Sequence, residues 1–344
     1  MLTSGLDRDG RGILLFGKDL PRAETFDESD QRGTYKQANP AAIQKALDQA
    51  LKLPAFGWYV LDASRRIGDK PKGYIVDSRE LVAWRCDGAL AVARNACPHM
   101  GAPLSAGRVC DGEVVCPWHG LRLGKTSGRE KSMLRSYDDG ILSWVCLQEG
   151  DEKTEHDPVL TPRPDLPIDG VIRMIARCEP SDVIANRLDP WHGSWFHYHT
   201  FARLKVLGET GDAIRVRVAF RVFKRLCVEV DCSFHCPDPR TIVMTIVDGE
   251  GVGSVVETHA TPIVPGFTAI IEATLADSER IGFKVAKRLT PLIRPFIERN
   301  ARRLWVEDAA YAERKYALRQ EGQKAFVEDG DWYAIVGTPR RGNR

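Results

Sequence analysis

The sequence contains no long hydrophobic run. None of its apolar stretches approaches the roughly 20 residues that a helix needs to cross a bilayer, so we expect no membrane span. The first residues, MLTSGLDRDGRGILLFG, carry early acidic residues and only a short apolar run, which excludes a secretory signal peptide. These absences predict a cytoplasmic protein.

Charge of one sign is not in marked excess either. The 344-residue chain has a formal net charge of +2, so no large electrostatic field indicates nucleic acid as its main partner. Hydrophobic residues make up 43% of the chain and charged residues 28%, which is ordinary for a globular protein. The length allows two domains, and we find no internal repeat or low-complexity segment.

The nine cysteines do not form the pattern of a small disulfide-stapled scaffold. Their number is odd, and in a chain of this length reduced thiols or metal ligands explain them better than disulfides do. Cysteines at metal-ligand spacing are therefore the first candidates for function.

The first half of the chain divides into three parts. Residues 1–54 form a polar leader that ends in an amphipathic helix, with Asn39 as N-cap and Pro40 in the first turn. Residues 55–148 contain short β-like runs separated by glycine-containing turns, which predicts an all-β domain. Residues 149–170, with several acids and four prolines, are typical of an exposed linker.

Residues 171–325 predict an α+β domain, and residues 326–344 form a C-terminal tail. A helical segment spans about 182–199, and strict alternation of apolar residues over 214–222 indicates a half-buried antiparallel strand. Further strands are predicted at 226–234, 241–247, 254–264 and 267–276. A long helical stretch over 278–319 follows, broken near Pro291 and Pro295, and strands followed by such a helix suggest a helix packed on a curved sheet.

Two short loops each offer one thiolate and one imidazole. They are Cys97-Pro-His99 and, sixteen residues further on, Cys116-Pro-Trp-His119. Structural zinc sites usually pair Cys with Cys and His with His in separate knuckles, so zinc is the weaker alternative. A two-iron cluster with thiolates on one iron and imidazoles on the other suits this mixed arrangement, and the neutral imidazoles would raise its reduction potential.

The residues around these loops are similar to the Rieske domain of ring-hydroxylating and related oxygenases. The matching segments are Trp58-Tyr59, Trp84-Arg85, ACPHMGAPL at 96–104 and CPWHG at 116–120. The resemblance implies a [2Fe–2S] cluster with Cys97 and Cys116 on one iron and His99 and His119 on the other. Met100 departs from the arginine that many relatives carry, but it does not alter the ligand set.

A second cluster of histidines follows in the segment NRLDPWHGSWFHYH at 186–199. Non-haem Fe(II) oxygenases bind iron through two histidines and one carboxylate and leave the opposite positions open. The family pattern Asp-x-x-His-x₄-His is matched by Asp189, His192 and His197, with His199 as an alternative to His197. On a regular helix His192 and His197 would point about 140° apart, so a helix distortion is required, and Gly193 could permit it.

The third iron ligand is expected from an acidic pair in the C-terminal helix. The resemblance points to Asp308, while Glu307 and Glu313 are the competing acids. Asp189 lies three residues before His192 and could accept a hydrogen bond from it. In the resembled family this aspartate also links the iron site to the Rieske histidine of a neighbouring subunit.

The resemblance implies a Rieske domain followed by a helix-grip (START-like) domain, a mononuclear Fe(II) and a head-to-tail homotrimer. Electrons would come from a ferredoxin, an NAD(P)H-dependent reductase, or both, and O₂ would be activated at the iron beside the substrate. Hydroxylation, dihydroxylation, demethylation and desaturation all remain open as outcomes. The HGSWFHYH segment is more similar to the monooxygenase side, such as ketosteroid hydroxylases, than to the aromatic dioxygenases. Aromatic residues beside the ligands, namely Trp191, Trp195, Phe196 and Tyr198, suggest an apolar substrate. The alternative is an electron carrier or lipid-binding protein without catalytic iron.

One segment has two possible interpretations. The basic and apolar stretch from Phe283 to Arg303 could contact a membrane surface, or it could cover the sheet. Since helices that cover sheets are common, we expect the second.

Overall fold

The computed structural model describes residues 13–14, 38–124, 128, 132–148, 156–197, 199–210, 213–223 and 226–321. Most of the predicted leader, the first part of the linker, Tyr198 and the predicted tail lie outside the described residues. Among the helices within these ranges, none has the length and apolar character needed to cross a bilayer.

The first described elements are β1 (Ile13–Leu14) and α1 (Pro40–Ala50). The Asn39 carboxamide oxygen accepts the backbone N–H of Ala41 at 3.0 Å, which confirms the predicted N-cap. The helix buries Ile43 and Leu47 in the apolar core of the second domain.

Within the described part of residues 55–148, nine short strands form three antiparallel sheets. Their orders are β2-β10-β9, β3-β4-β5 and β6-β7-β8. The strands are β2 (Trp58–Ala63), β3 (Lys72–Val76), β4 (Arg79–Cys86), β5 (Ala89–Arg94), β6 (Arg108–Cys110), β7 (Glu113–Val115), β8 (Arg122–Leu123), β9 (Ser136–Asp138) and β10 (Leu142–Cys146). Asp87-Gly88 and Asp111-Gly112, all with positive φ, make the two-residue turns after β4 and β6.

Seven strands of the second domain form one antiparallel sheet in the order β11-β17-β16-β15-β14-β13-β12, and β1 adds to β14 in parallel. The strands are β11 (Ile168–Ala176), β12 (Phe201–Thr210), β13 (Ala213–Phe223), β14 (Leu226–Asp238), β15 (Thr241–Gly249), β16 (Val255–Val264) and β17 (Phe267–Ala276). The predicted strands from residue 214 onward are confirmed. The sequence did not predict β12, and the exposed linker was predicted to continue through residues 168–170, which instead begin β11 and are buried.

The helices differ from the prediction in two places. The segment 182–199 is not one helix: α2 (Pro180–Arg187) is followed by a 3₁₀ turn (Pro190–His192) and α3 (Gly193–Phe196). The C-terminal stretch is divided into α4 (Ile281–Arg288) and α5 (Thr290–Gln320), which confirms the break predicted near Pro291, but α5 continues through Pro295, where a second break was predicted.

The expectation that Phe283–Arg303 covers the sheet is wrong for its first half. α4 buries none of its residues, whereas α5 contacts β11 through Arg294, which pairs with Asp169 at 2.6 Å, and through Ile297, which packs at Gly170. At that contact Gly170 leaves the necessary space, since a Cβ there would lie 2.6 Å from the Ile297 side chain. The exposed α4 therefore does not cover the sheet, whereas α5 contacts it at Arg294 and Ile297.

The two domains share an apolar core. Trp58, Val60 and Trp144 of the β domain pack with Val171 and Ile271 of the larger sheet. Burying such side chains contributes about 1.5–3 kcal/mol each, so this shared core fixes one domain on the other.

Arg163 connects the predicted linker to both domains. Its side chain forms ion pairs with Asp139 at 2.9 Å and with Glu257 at 2.6 Å, and only 14% of it is exposed. This part of the linker is consequently a fixed contact rather than an exposed connection.

Candidate metal centres

The two Cys–His loops have the same backbone design. In each loop the cysteine N–H donates to the carbonyl five residues later, which belongs to Ala102 for Cys97 and to Leu121 for Cys116. A glycine with positive φ donates its N–H back to the cysteine carbonyl, Gly101 to Cys97 and Gly120 to Cys116. The positive φ values, 79° at Gly101 and 72° at Gly120, explain why glycine occupies these positions.

The loops bring the four predicted cluster ligands together. Cys97 and Cys116 are buried, whereas His99 and His119 are exposed, and the two imidazole Nδ1 atoms lie 3.2 Å apart. Burial raises the pKa of Cys116, but the backbone N–H groups of Trp118 and His119 donate to its sulfur and bring the pKa below its ordinary value. A buried thiolate pair with an exposed imidazole pair suits a cluster whose outer iron faces solvent.

The break between α2 and α3 allows His192 and His197 to face one point, although a regular helix would direct them about 140° apart. His192 ends the 3₁₀ turn and His197 follows α3, so the two rings face each other with centroids 5.1 Å apart. Gly193 packs against β12, where a Cβ would lie 3.0 Å from Leu204. The predicted distortion is thus confirmed, and a 3₁₀ turn provides it.

Asp308 reaches this pair from α5. Its Oδ1 lies 3.1 Å from His192 Nε2 and 2.9 Å from His197 Nε2, and the three ligand atoms lie within 4.8 Å of one another. Two donors at a right angle around an ion, each about 2.1 Å from it, would be about 3.0 Å apart. The geometry therefore fits a metal ion bound on one face by two histidines and one carboxylate.

Electrostatics favour the ionised form of Asp308. Burial raises the pKa of this carboxyl group, but hydrogen bonds from His192 and His197 outweigh burial and hold the pKa well below its usual value. The same contacts raise the pKa of His192 against the effect of burial. An anionic carboxylate facing two imidazole nitrogens is the charge arrangement that a divalent cation requires.

Further contacts orient the candidate ligands. Glu307 accepts the His197 Nδ1–H at 2.7 Å, and the backbone carbonyl of Asp189 accepts the His192 Nδ1–H. Each histidine is left with Nε2 directed at Asp308. The sequence predicted that the Asp189 carboxylate would bond His192; its Oδ2 lies 3.8 Å from Nδ1, so the backbone makes this contact instead.

The alternative ligands occupy different places. His199 lines the cavity beside the site, with its Nε2 3.7 Å from Glu307. Glu313 accepts the backbone N–H of Arg177 and does not join the cluster. Of the three candidate acids, Asp308 is the one that contacts both histidines.

Two residues of the site were not predicted from the sequence. The Asn186 amide donates to Asp308 Oδ1 at 3.1 Å, and Tyr311 donates to Asp189 Oδ2 at 3.2 Å while its ring stacks on His192. Asn186 has helical spacing to Asp189, and Tyr311 lies three residues after Asp308, so spacing from the predicted ligands could have indicated both. The other carboxylate oxygen of Asp189 is buried and has no hydrogen-bond partner among the described residues.

A cavity of about 780 Å³ opens onto the three candidate ligands. Its apolar lining comes mainly from strands of the large sheet and from α5: Phe201, Leu204, Val218, Phe220, Phe234, Met244, Val256, Phe296, Ile297 and Leu304. The aromatic residues singled out in the sequence, Trp191, Trp195 and Phe196, do not line it, and Tyr198 is outside the described residues. An apolar cavity is present, but different aromatic residues form it.

Two polar side chains, Arg187 and Glu272, lie among the apolar residues that line the cavity. Glu272 accepts the Trp305 indole N–H at 2.5 Å, and Arg187 lies 3.4 Å from the same carboxylate oxygen. Burial raises the pKa of Glu272. Both side chains line the cavity and offer hydrogen bonds to a polar group of a bound molecule.

Comparison with protein families identifies two regions. Residues 57–136 match the model of the Rieske [2Fe-2S] domain, which confirms the predicted cluster domain. Residues 149–323 match a model described as a domain of unknown function, DUF5914.

Curated relatives include oxygenase components. The chain is 29% identical over 171 residues to the vanillate O-demethylase oxygenase subunit of Pseudomonas sp. (strain HR199 / DSM 7063), covering 44% of this chain and 48% of that protein. It is 37% identical to aminopyrrolnitrin oxygenase of Pseudomonas fluorescens and 38% identical to the dicamba O-demethylase oxygenase component of Stenotrophomonas maltophilia, covering 25% and 19% of each chain respectively. The matches span about half the length of these relatives, or less.

Among solved structures, dicamba monooxygenase bound to dicamba superposes with a TM-score of 0.59 at 18% identity, covering 78% of this chain and 90% of that one. The carbazole-bound oxygenase of carbazole 1,9a-dioxygenase, in complex with ferredoxin, gives a TM-score of 0.51 at 13% identity, covering 82% and 88%. These likenesses show the fold, and they confirm the predicted α+β architecture of a Rieske domain followed by a sheet with a long C-terminal helix.

Proposed function

We propose that this chain, which belongs to the DUF5914 family and carries a Rieske [2Fe–2S] domain, is the terminal oxygenase component of a non-haem iron oxygenase system. The observation that carries the proposal is the convergence of His192, His197 and Asp308 on one point beside a large cavity. A cluster domain and a three-ligand site in one chain are what an oxygenase needs in order to deliver electrons to O₂ at a metal.

We assign the cluster to Cys97, His99, Cys116 and His119, and a mononuclear Fe(II) to His192, His197 and Asp308. When bound, the cluster supplies one-electron transfer and the iron supplies open positions for O₂. Glu307 and the Asp189 carbonyl would keep the histidine protons on Nδ1, so that iron could replace the Nε2 protons that Asp308 accepts and bind both Nε2 lone pairs. The ionised Asp308 supplies the negative charge.

We further propose that electrons pass between subunits of a homotrimer. Exposed His99 and His119 are available to a neighbouring copy, and Asp189 holds a buried carboxylate oxygen that the described residues leave without a hydrogen bond. Through its own carbonyl, Asp189 contacts His192 directly. It could therefore connect a cluster histidine of one copy with the iron ligand of the next.

The electron source that we propose is a ferredoxin, an NAD(P)H-dependent reductase, or both in series, acting in the cytoplasm. The structural neighbour from carbazole 1,9a-dioxygenase is itself an oxygenase in complex with a ferredoxin. Exposed Met100 and Trp118 next to the cluster histidines would form part of the contact with such a donor.

The substrate that we propose is a largely apolar small molecule with one polar group. Its apolar part would fill the cavity, and its polar group would bind Arg187 or Glu272. The relatives include two O-demethylases, so we propose insertion of one oxygen atom into a C–H bond. The balance is R–H plus O₂, two electrons and two protons, giving R–OH and water. If the C–H bond belongs to a methyl ether, the hydroxylated product is a hemiacetal, whose C–O bond would break to give the free hydroxyl compound and formaldehyde.

The test is turnover under ¹⁸O₂ with a surrogate ferredoxin and reductase and a panel of apolar substrates. We expect one labelled oxygen atom in the product and none with the His192→Ala/His197→Ala variant. If the cluster is reduced and reoxidised equally well in both proteins without product from any substrate, the chain is an electron carrier and the proposal is wrong.

A further inference from the structure

One face of α4 and the start of α5 exposes five apolar side chains, which we call the apolar stripe. Its members are Ile281, Val285, Leu289, Leu292 and Phe296, with exposed fractions of 83%, 58%, 48%, 76% and 66%. A spacing of four residues places Ile281 and Val285 on one side of α4, and Leu292 and Phe296 on one side of α5, with Leu289 at the junction of the two helices. Contiguous exposed apolar surface of this kind marks a binding surface rather than ordinary scatter.

Positive charge surrounds the stripe. Between residues 281 and 306 the sequence contains seven lysines and arginines and one acid, Glu298, which is already paired with Arg65 and Arg66. Lys287 and Arg294 have acidic partners in Asp277 and Asp169. The remaining five cations are all exposed: Lys284, Arg288, Arg299, Arg302 and Arg303.

The stripe is continuous with the cavity over the candidate iron site. Phe296 belongs to both, and Asn300 and Arg303, one turn and two turns further along α5, also line the cavity. Whatever binds the stripe would therefore lie against the cavity mouth.

We propose that the apolar stripe docks on a membrane surface that contains anionic lipid. An exposed apolar face flanked by cations and almost free of acids is the pattern of a helix that lies in the bilayer interface. Anionic headgroups complement the five exposed cations, and acyl chains accept the apolar side chains. A bilayer is the partner that offers both chemistries over a broad surface.

Docking would bring the cavity mouth against the lipid, so an apolar substrate could enter from the bilayer without crossing water. This consequence rests on the proposed oxygenase function, while membrane docking itself does not. The two are separable because binding to vesicles needs no substrate and no electron donor.

The experiment is flotation of the cluster-loaded full chain with vesicles of phosphatidylcholine alone or mixed with phosphatidylglycerol. We expect binding to the mixed vesicles that weakens with added salt, and little binding to phosphatidylcholine alone. The variant Ile281→Glu/Leu292→Glu should lower the partition coefficient at least tenfold. Replacing Arg288 or Arg299 with Gln should lower it about fivefold each.

The matched control is Leu166→Glu/Val252→Glu, which places two acids at equally exposed apolar sites outside the stripe. It should leave binding within about twofold of the wild type, and the cluster absorption spectrum should be unchanged in every variant. Absence of binding, or equal loss in the control, would overturn the proposal. If the stripe variant binds vesicles normally but dissociates the assembly in solution, the stripe is a contact between copies and the proposal is also overturned.

Discussion

Glu307 and Asp308 are neighbours in the sequence with different contacts. Asp308 lies against both Nε2 atoms, whereas Glu307 accepts from His197 Nδ1. Their separation follows from the helix: adjacent residues point about 100° apart, so only one of the pair can face the histidines directly. The family resemblance pointed to Asp308, but the acidic pair by itself does not distinguish the two residues, because their roles depend on how α5 is rotated against α3.

Glu307→Gln should weaken binding of the mononuclear iron, because the hydrogen bond to His197 loses its charge. We expect affinity to fall about 10- to 100-fold, measured as iron retained per chain during titration with a chelator. Glu313→Gln makes the same chemical change on the same helix, at a residue that bonds the Arg177 backbone instead. Equal iron loss in both variants would show that Glu307 does not position the ligand.

Glu257 makes stability depend on pH. Burial raises its pKa, but hydrogen bonds from His259 and Arg163 lower the pKa to about 2, from an ordinary value of 4.5. A lowered folded-state pKa stabilises the fold above the unfolded pKa, and this contribution is lost as pH falls from about 4.5 to about 2. We expect a loss of about 3 kcal/mol in the free energy of unfolding across this window.

The measurement is urea unfolding of wild type and Glu257→Gln at several acidic pH values, with Asp231→Asn as control. Asp231 pairs with Arg217, whose side chain is 45% exposed, so that ion pair should contribute less than about 1 kcal/mol. The wild type and the control should lose stability in parallel, and Glu257→Gln should lose less. Identical pH profiles for all three would exclude Glu257 as the cause.

At the scale of elements, the strands of the large sheet were predictable and the ligand segment was not. Alternation identified β13, because its apolar residues point to one face of the pleat and its arginines to the other. β12 has register shifts near both of its ends, which interrupt the alternating pattern. The second residue of β11 is Asp169, a turn signal in the sequence, whose burial depends on ion pairs with Arg65 and Arg294 far along the chain.

The break before α3 depends on close packing at Gly193. A Cβ at this position would lie 3.0 Å from Leu204 and 3.3 Å from Phe201, so Gly193→Ala should push α3 away from β12. We expect a destabilisation of about 1–3 kcal/mol and loss of mononuclear iron, with the cluster retained. Thermal unfolding and metal analysis measure these effects.

Leu204→Ala in the Gly193→Ala background provides the decisive comparison, since it removes the atom that the new methyl group meets. The double variant should recover iron binding relative to Gly193→Ala. If it does not, the loss arises from helix propensity or another cause and not from this contact.

At the scale of the molecule, the sequence of one amphipathic segment allowed two interpretations. Periodic apolar residues in Phe283–Arg303 fit a helix covering the sheet and a helix exposed to another surface equally well. The placement of α4 decides the outcome, because α4 buries none of its residues, whereas Arg294 and Ile297 of α5 contact β11. Tertiary placement of this kind leaves no local signal in the chain.

Electron transfer between copies gives a prediction about Asp189. Asp189→Asn should keep both metal centres but slow the reoxidation of the reduced cluster by O₂ at least tenfold in a single turnover, because a charged hydrogen-bond acceptor on the proposed path is lost. Stopped-flow absorption of the cluster measures the rate. Tyr311→Phe, which removes only the hydroxyl bonded to Asp189, should have a smaller effect. An unchanged rate in Asp189→Asn would place the path elsewhere.

Iron and acid-labile sulfide per chain, measured on protein purified without oxygen, test the central claim most directly. We expect about three iron atoms and two sulfides per chain in the wild type. In His192→Ala/His197→Ala we expect about two iron atoms and an unchanged Rieske signal in the EPR spectrum. About two iron atoms in both proteins, even after incubation with Fe(II), would contradict the mononuclear site and leave the chain a Rieske electron carrier.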